Sequence, residues 1–203
     1  MSGYPVLLDG RALTALVVGG GAVALRKVRT LLAAGARVRV IARAVDDEMT
    51  ALLEREASLT IEQRAFDDRD IADANLVIAA TDDRAINARV ARLARERHRL
   101  VNVVDAATDG NFVSMATHRA GDVVIAVSAG GVPRAAARIR DAIAERFDER
   151  YASAIAALQT ARRRLLDSGG ADAWERTAGR VIDDDFCARV ESGAVPAEVN
   201  AWR

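Results

Sequence analysis

The sequence predicts an α/β protein: a parallel sheet flanked by helices, then a β-hairpin with its following helix, then a small helical tail. Three observations carry that expectation. An apolar run at residues 13–18 enters the triplet Gly19, Gly20 and Gly21; helical spacing follows at Ala24, Val28, Leu31 and Leu32, and a second apolar run at residues 38–41. Short apolar runs keep alternating with helical patterns as far as Val104, and right-handed crossovers gather such strands into one parallel sheet. From Asn111 onward two strand-like runs follow each other with no helix between them, which makes a hairpin and not another crossover.

The strand, tight turn and helix around the triplet match a dinucleotide-binding unit of the Rossmann type, with Gly19, Gly21 and Ala24 as its small positions. Gly19 permits the turn, Gly21 lets the backbone approach a pyrophosphate, and Ala24 keeps the helix tight on the strand, with Gly20 counted among the cofactor-binding residues. The helix start then offers free N–H groups to the phosphates. About 20 residues further on, an acidic side chain normally accepts from the ribose hydroxyl, but Ala42, Arg43 and Ala44 stand there. Arg43 accepts a 2'-phosphate, stacks on adenine or lies in solvent, so these residues leave NAD and NADP both open.

Taken in order, residues 4–8 form a short apolar strand candidate before the turn at Asp9 and Gly10. Asp46 and Asp47 open a helix with Val45, Met49, Leu52 and Leu53 on its apolar face, acids in a first turn favouring the helix dipole. Residues 59–63 give the third strand and 75–80 the fourth, a continuous apolar run suited to burial on both faces. Thr81, Asp82 and Asp83 cap a helix that buries Ile86, Val90 and Leu93, and residues 100–104 give the fifth strand. The hairpin strands are expected at 112–117 and 122–128 with the turn at 118–121, and Pro133 suits the first position of the next helix. Beyond Asp148 the pattern is helical: residues 151–166 carry Ile155, Leu158, Leu165 and Leu166, residues 168–170 break it, and short helices surround Trp174, Val181, Ile182, Phe186 and Val190. The expected organisation is a nucleotide-binding domain at 1–111, a dimerisation hairpin and helix at 112–147, and a helical domain at 148–203.

Composition narrows the function classes. Basic and acidic side chains balance at 29 each, so no overall field recruits nucleic acid or an anionic membrane, and an anionic ligand must be held locally. The single cysteine, Cys187, excludes an internal disulfide and a cysteine metal cluster and suits a reducing compartment. Apolar runs are short, and the start has neither a basic head nor a long apolar segment, so a cytoplasmic protein is expected.

Four groups of residues have the character of a site. Asp105 ends the fifth strand, where a carboxylate stands at the rim expected for the nicotinamide end of a cofactor, or else caps a turn. Thr81 and Asp82, at the end of the fourth strand, touch the cofactor or belong to the helix cap, and Asn87 one turn on is expected to face solvent or to cap. Arg26 and Lys27 follow one glycine turn, and Arg134 and Arg138 follow the turn at Gly130 and Gly131; cations there oppose the helix dipole by about 0.3–1 kcal/mol each. A docked anion removes the conflict: a pyrophosphate at the first start, and at the second substrate carboxylates held by Ser128 and the N–H groups of Gly130 and Gly131. The competing account of the second start is a solvated face on which Arg134 or Arg138 pairs with Asp141. Asn111, where the pattern changes, is assigned to the same substrate side. His98 and His118 are expected on the surface, and no residues have metal-ligand spacing, so any metal would be handled as substrate.

Taken together, GGGAVALRK, AATDD with Asn87, VNVVDA and AVSAGG, in this order and spacing, resemble the precorrin-2 dehydrogenase family over residues 4–147. Its members are stand-alone relatives of the N-terminal half of bifunctional siroheme synthases. The resemblance implies NAD-dependent oxidation of precorrin-2 to sirohydrochlorin, often followed in the same site by ferrous iron insertion to siroheme. It also implies a homodimer built through the hairpin and its helix, a tetrapyrrole received from a separate protein, Asp105 as the catalytic aspartate, and Ala22, Val23, Arg43 and Ala44 as cofactor contacts. Where relatives usually have Phe-x-x-Pro, this chain has Phe112, Val113, Ser114 and Met115. The residues alone leave two rival readings: a nucleotide-sensing module without catalysis, which has no need of Asp105, and a dehydrogenase of the same fold with another substrate.

Overall fold

In the computed structural model, which describes residues 3–202, the apolar runs become five parallel strands. They are β1 (Thr14–Val18), β2 (Arg37–Ala42), β3 (Leu59–Gln63), β4 (Leu76–Ala79) and β5 (Leu100–Val103), in the order β3-β2-β1-β4-β5. Because helices cover both faces, successive residues of a strand are buried alternately on opposite sides and the strand reads as an unbroken apolar run. Ala15, Val17, Val38, Val40, Leu76 and Ile78 pack on one face against α1 (Ala22–Ala33) and α2 (Asp47–Leu53). Leu16, Val18, Val77, Ala79, Val101 and Val103 pack on the other against α3 (Arg84–Glu96). Each fully buried aliphatic side chain contributes about 1.5–3 kcal/mol relative to exposure.

The chain reverses its direction of travel across the sheet between β1 and β4. Neighbouring carboxyl ends at that point frame the crevice in which such sheets bind ligands. At the far edge an ionic cluster locks β3: Arg64 donates to both oxygens of Asp70 at 2.6 and 2.8 Å and to Glu62 at 2.7 and 2.9 Å, while Asp70 itself is only 5% exposed.

Two expectations for this region are corrected. Residues 4–8 pair with no strand, and Tyr4 and Leu7 are largely exposed; Pro5 has no donor to give a ladder. Leu53 is exposed because α2 ends there and only Met49 of its face is fully buried.

Residues up to Ser114 form one compact unit and those from Met115 a second. In the second, β6 (Ala116–Ala120) and β7 (Val123–Val127) pair antiparallel, Ala120 opposite Val123, and lead into α4 (Pro133–Ala144) with Pro133 at its first position. The turn therefore falls at Gly121 and Asp122. The polar residues expected to form it belong to β6, where His118 is half-buried with Nε2 against the Phe147 carbonyl oxygen, not free on the surface. The tail forms α5 (Glu149–Ala178), broken at Gly170, then α6 (Phe186–Glu191) and α7 (Ala194–Asn200). Tyr151, Leu158, Val181, Val190, Val195 and Val199 make its core, whereas Ile182 is exposed. Tyr151 Oη donates to Glu191 at 3.0 Å and ties α5 to α6. No helix among the described residues is long and apolar enough to cross a membrane.

Candidate active site

The glycine turn is built by close backbone approach. Gly19 has φ +128°, and a Cβ there would stand 2.2 Å from the Ala80 carbonyl oxygen. The end of β1 thus lies directly against the end of β4, which only a residue without a side chain allows. Gly20 is packed equally closely against the loop after β2: its carbonyl accepts from Asp46 N at 2.8 Å, and a Cβ would meet the Ala44 carbonyl oxygen at 2.1 Å. Arg43 and Ala44 in that loop are exposed.

Gly21 differs from both. Nothing lies within 4 Å of the position its Cβ would take, and it opens α1 without a side-chain cap or an acid in the first turn. Gly21, Ala22 and Val23 are exposed, so the amide groups of this helix start are presented to solvent. Open space over uncapped N–H groups is what a pyrophosphate requires, and the residues fit a dinucleotide on that observation.

At the end of β4 the three polar residues divide their work. Asp83 caps α3, accepting from Ala85 N at 2.8 Å and Ile86 N at 3.2 Å; Asp82 is exposed. Thr81 turns inward to Asn87. The side chain of Asn87 is 1% exposed, a correction to the solvent-facing or capping role expected for it. Its Oδ1 accepts from Thr81 N at 3.1 Å and Thr81 Oγ1 at 2.7 Å, while its Nδ2 donates to Thr81 O at 3.0 Å and to Asp105 Oδ1 at 3.1 Å. The backbone N–H of Thr81 can only donate, so the amide orientation is fixed and its N–H₂ group must face Asp105. Asp105 stands two residues beyond β5, exposed, with this one side-chain partner among the described residues.

The structure thereby gathers the ends of β1, β4 and β5 and joins Thr81 to Asp105 through a residue to which the sequence reading gave no such part. A carboxylate held on one oxygen by a buried amide, the other oxygen free, is equipped to accept a proton from a molecule in the crevice. Asn111 lies in the same unit with its amide engaged elsewhere: Oδ1 accepts from Val101 N at 2.7 Å and Nδ2 donates to Arg99 O at 2.8 Å, extending the edge of β5.

The remaining candidates belong to the second unit. Gly130 and Gly131 have φ +56° and +85° with open space about them, and Ser128, Arg134 and Arg138 are exposed. Asp141 pairs with Arg140 at 2.8 Å, so among the described residues it compensates neither Arg134 nor Arg138. No group of three or more His, Cys, Asp or Glu side chains among the described residues is placed to hold a metal ion.

Sheet order, glycine turn and helix start define a dinucleotide-binding protein of the Rossmann class. Comparison with known proteins agrees: residues 6–116 match the family model NAD_binding_7, described as "Putative NAD(P)-binding". The siroheme synthase of Mannheimia succiniciproducens is 39% identical over 139 residues, 68% of this chain and 29% of that protein. The siroheme synthase of Pseudomonas aeruginosa is 45% identical over 132 residues, 65% of this chain and 28% of that protein. This chain therefore aligns with less than a third of the length of these curated relatives. Among solved structures, SirC, a precorrin-2 dehydrogenase, superposes with a TM-score of 0.78 over 98% of this chain and 100% of that one, at 25% identity. The chain belongs to this NAD(P)-binding family.

Proposed function

We propose that the protein is an NAD-dependent precorrin-2 dehydrogenase that forms sirohydrochlorin. The observation that carries the reading is the Asn87-held carboxylate of Asp105, two strands from an open glycine turn. Similarity to SirC over the full length of that chain supports it.

Gly19, Gly20, Gly21, Ala22 and Val23 would hold the pyrophosphate, with Arg43 and Ala44 toward the adenosine and Thr81 and Asp82 along the end of β4. When bound, NAD supplies an acceptor for two electrons and one proton. Asp105 accepts the second proton that leaves the substrate, and Asn87 keeps its carboxylate turned to the crevice. Ser128, the amides of Gly130 and Gly131, Arg134 and Arg138 bind substrate carboxylates; Asn111 fixes the edge of β5 from which Asp105 projects. A homodimer through the hairpin and α4, a cytoplasmic location, and ferrous iron as a second substrate after oxidation complete the proposal.

Anaerobic incubation with precorrin-2 and NAD, followed by the absorbance of sirohydrochlorin, tests it. Turnover is expected in the wild type and its loss in Asp105→Ala with NAD binding kept. Undiminished turnover in that variant removes the proposed base. Absence of turnover in the wild type with NAD still bound favours a nucleotide sensor.

A further inference from the structure

The loop that follows β2 is pinned against the glycine turn. Gly19 N donates to the Ile41 carbonyl at 2.9 Å, and Asp46 N donates to the Gly20 carbonyl at 2.8 Å. A Cβ on Gly20 would stand 2.1 Å from the Ala44 carbonyl oxygen and 3.0 Å from the Ala42 Cβ. Arg43 and Ala44, between these anchors, are therefore fixed beside the open start of α1, where a dinucleotide runs from its pyrophosphate to the ribose of its adenosine. In a site confined to NAD, an acid at the end of β2 accepts from that ribose and repels a 2'-phosphate. No such acid stands here. β2 ends at the buried Ala42, whose partner at the end of β3 is the exposed, neutral Gln63. The carboxylates around the loop are engaged: Asp46 Oδ1 accepts from Glu48 N at 2.9 Å, Glu48 pairs with Arg29 at 2.6 Å, and Glu62 pairs with Arg64 at 2.7 Å. Asp47 belongs to the first turn of α2. Arg43 itself is exposed, with no ion pair and no side-chain hydrogen bond among the described residues.

We propose that Arg43 is a specificity residue that lets this site accept the 2'-phosphorylated dinucleotide, NADP, alongside NAD. A phosphate monoester at that position carries nearly two negative charges, and a guanidinium meets it with two parallel N–H donors. NAD, with a hydroxyl there, loses the acid that would select it but meets no repulsion. The inference rests on the dinucleotide site and deepens the functional reading above by widening the class of hydride acceptor; it depends on no particular second substrate.

Binding alone tests it, with no tetrapyrrole present. Dissociation constants for NAD, NADP and adenosine 2',5'-bisphosphate, a probe with the 2'-phosphate but no nicotinamide, are measured by calorimetry for wild type, Arg43→Ala and Arg43→Asp. The side chain is exposed, so both variants are expected to melt as wild type does. Wild type is expected to bind NADP as tightly as NAD to within about threefold, or more tightly. Arg43→Ala is expected to weaken NADP and the bisphosphate about tenfold and to leave NAD within about twofold, the loss of one exposed charge-assisted contact. Arg43→Asp restores an acid beside the ribose and is expected to bind NAD in clear preference to NADP. A wild type that binds NAD but takes NADP more than about tenfold more weakly overturns the proposal and leaves the dehydrogenase reading standing. Equal weakening of NAD and NADP in Arg43→Ala overturns it in favour of stacking on adenine, and weakening of neither overturns it in favour of a solvated side chain. A wild type that binds neither dinucleotide overturns the proposal and the dehydrogenase reading together.

Discussion

The Nδ2 of Asn87 donates to the carboxylate of Asp105 at 3.1 Å while the rest of the same amide is bound to Thr81. Holding Thr81 in place and aiming Asp105 are therefore two separable tasks of one side chain. Asn87→Asp keeps an oxygen for the Thr81 N–H but loses the donor and sets a like charge against Asp105. Asn87→Ala loses both. Turnover is expected to fall about tenfold to a hundredfold in each, the scale of a misplaced catalytic group. Both also lose stability, Asn87→Ala by about 1–3 kcal/mol through the unpaired Thr81 amide and Asn87→Asp through a buried charge beside Asp105, so the unfolding loss is measured for each and compared with its loss of turnover. Steady-state kinetics beside urea unfolding separates the two effects, and an Asn87→Asp enzyme with wild-type kcat refutes the aiming role.

Gly19 and Gly21 are two residues apart yet fail differently when given a methyl group. At Gly19 the methyl collides with the Ala80 carbonyl and the backbone sits at φ +128°, so Gly19→Ala is expected to lose stability and nucleotide together. At Gly21 the space is open and φ is −85°, so Gly21→Ala keeps the melting temperature while its methyl occupies the approach of the pyrophosphate. Its Kd for NAD is expected to rise at least about tenfold, the consequence of one lost pyrophosphate contact. Calorimetric melting combined with NAD titration checks the pair, and equal NAD affinity in Gly21→Ala and wild type argues against the glycine turn as the phosphate site.

The strands and the glycine turn were legible because burial on both sheet faces demands unbroken apolar runs and because a close backbone crossing demands glycine. Asn87 was not. A polar residue in the first turn of an amphipathic helix looks the same whether it meets water or a buried hydrogen-bond network, and its partners Thr81 and Asp105 come from other segments. The hairpin turn was misplaced because the polar cluster at 118–121 resembles a loop, whereas β6 simply has one face less buried.

The ionic cluster at β3 predicts an acid-sensitive edge. Arg64's side-chain hydrogen bonds hold the Asp70 carboxyl below the usual carboxylate range, and those of Arg69 hold Asp67 at about 2. For a depressed carboxylate the stabilisation is complete above the unfolded pKa near ~4 and is lost as pH falls through the lower folded value. Asp70→Asn is expected to lose about 1–3 kcal/mol at neutral pH and to show a shallower decline in stability than wild type between about pH 4 and 2. The two curves then converge in acid. Parallel curves from urea unfolding across that range would show that Asp70 is not the titrating group.

Arg134 and Arg138 at the start of α4 face solvent, while Arg140 on the same helix is held by Asp141. If the first two serve substrate carboxylates beside Ser128, Gly130 and Gly131, Arg134→Ala and Arg138→Ala are each expected to raise the KM for precorrin-2 about threefold to tenfold, a charge-assisted contact discounted for exposure. Their kcat should be unaffected, as for contacts made equally in the ground state and the transition state. Arg140→Ala, which removes the same charge from the same helix but only breaks a surface pair, is the control and should leave KM within about twofold, as expected for a weak exposed ion pair. Raised salt should narrow the difference between wild type and the two KM variants, since exposed charge contacts are screened. An unchanged KM in both variants, or an equal rise in Arg140→Ala, means that this helix start does not hold the substrate, and the open amides of Gly130 and Gly131 would then need another ligand.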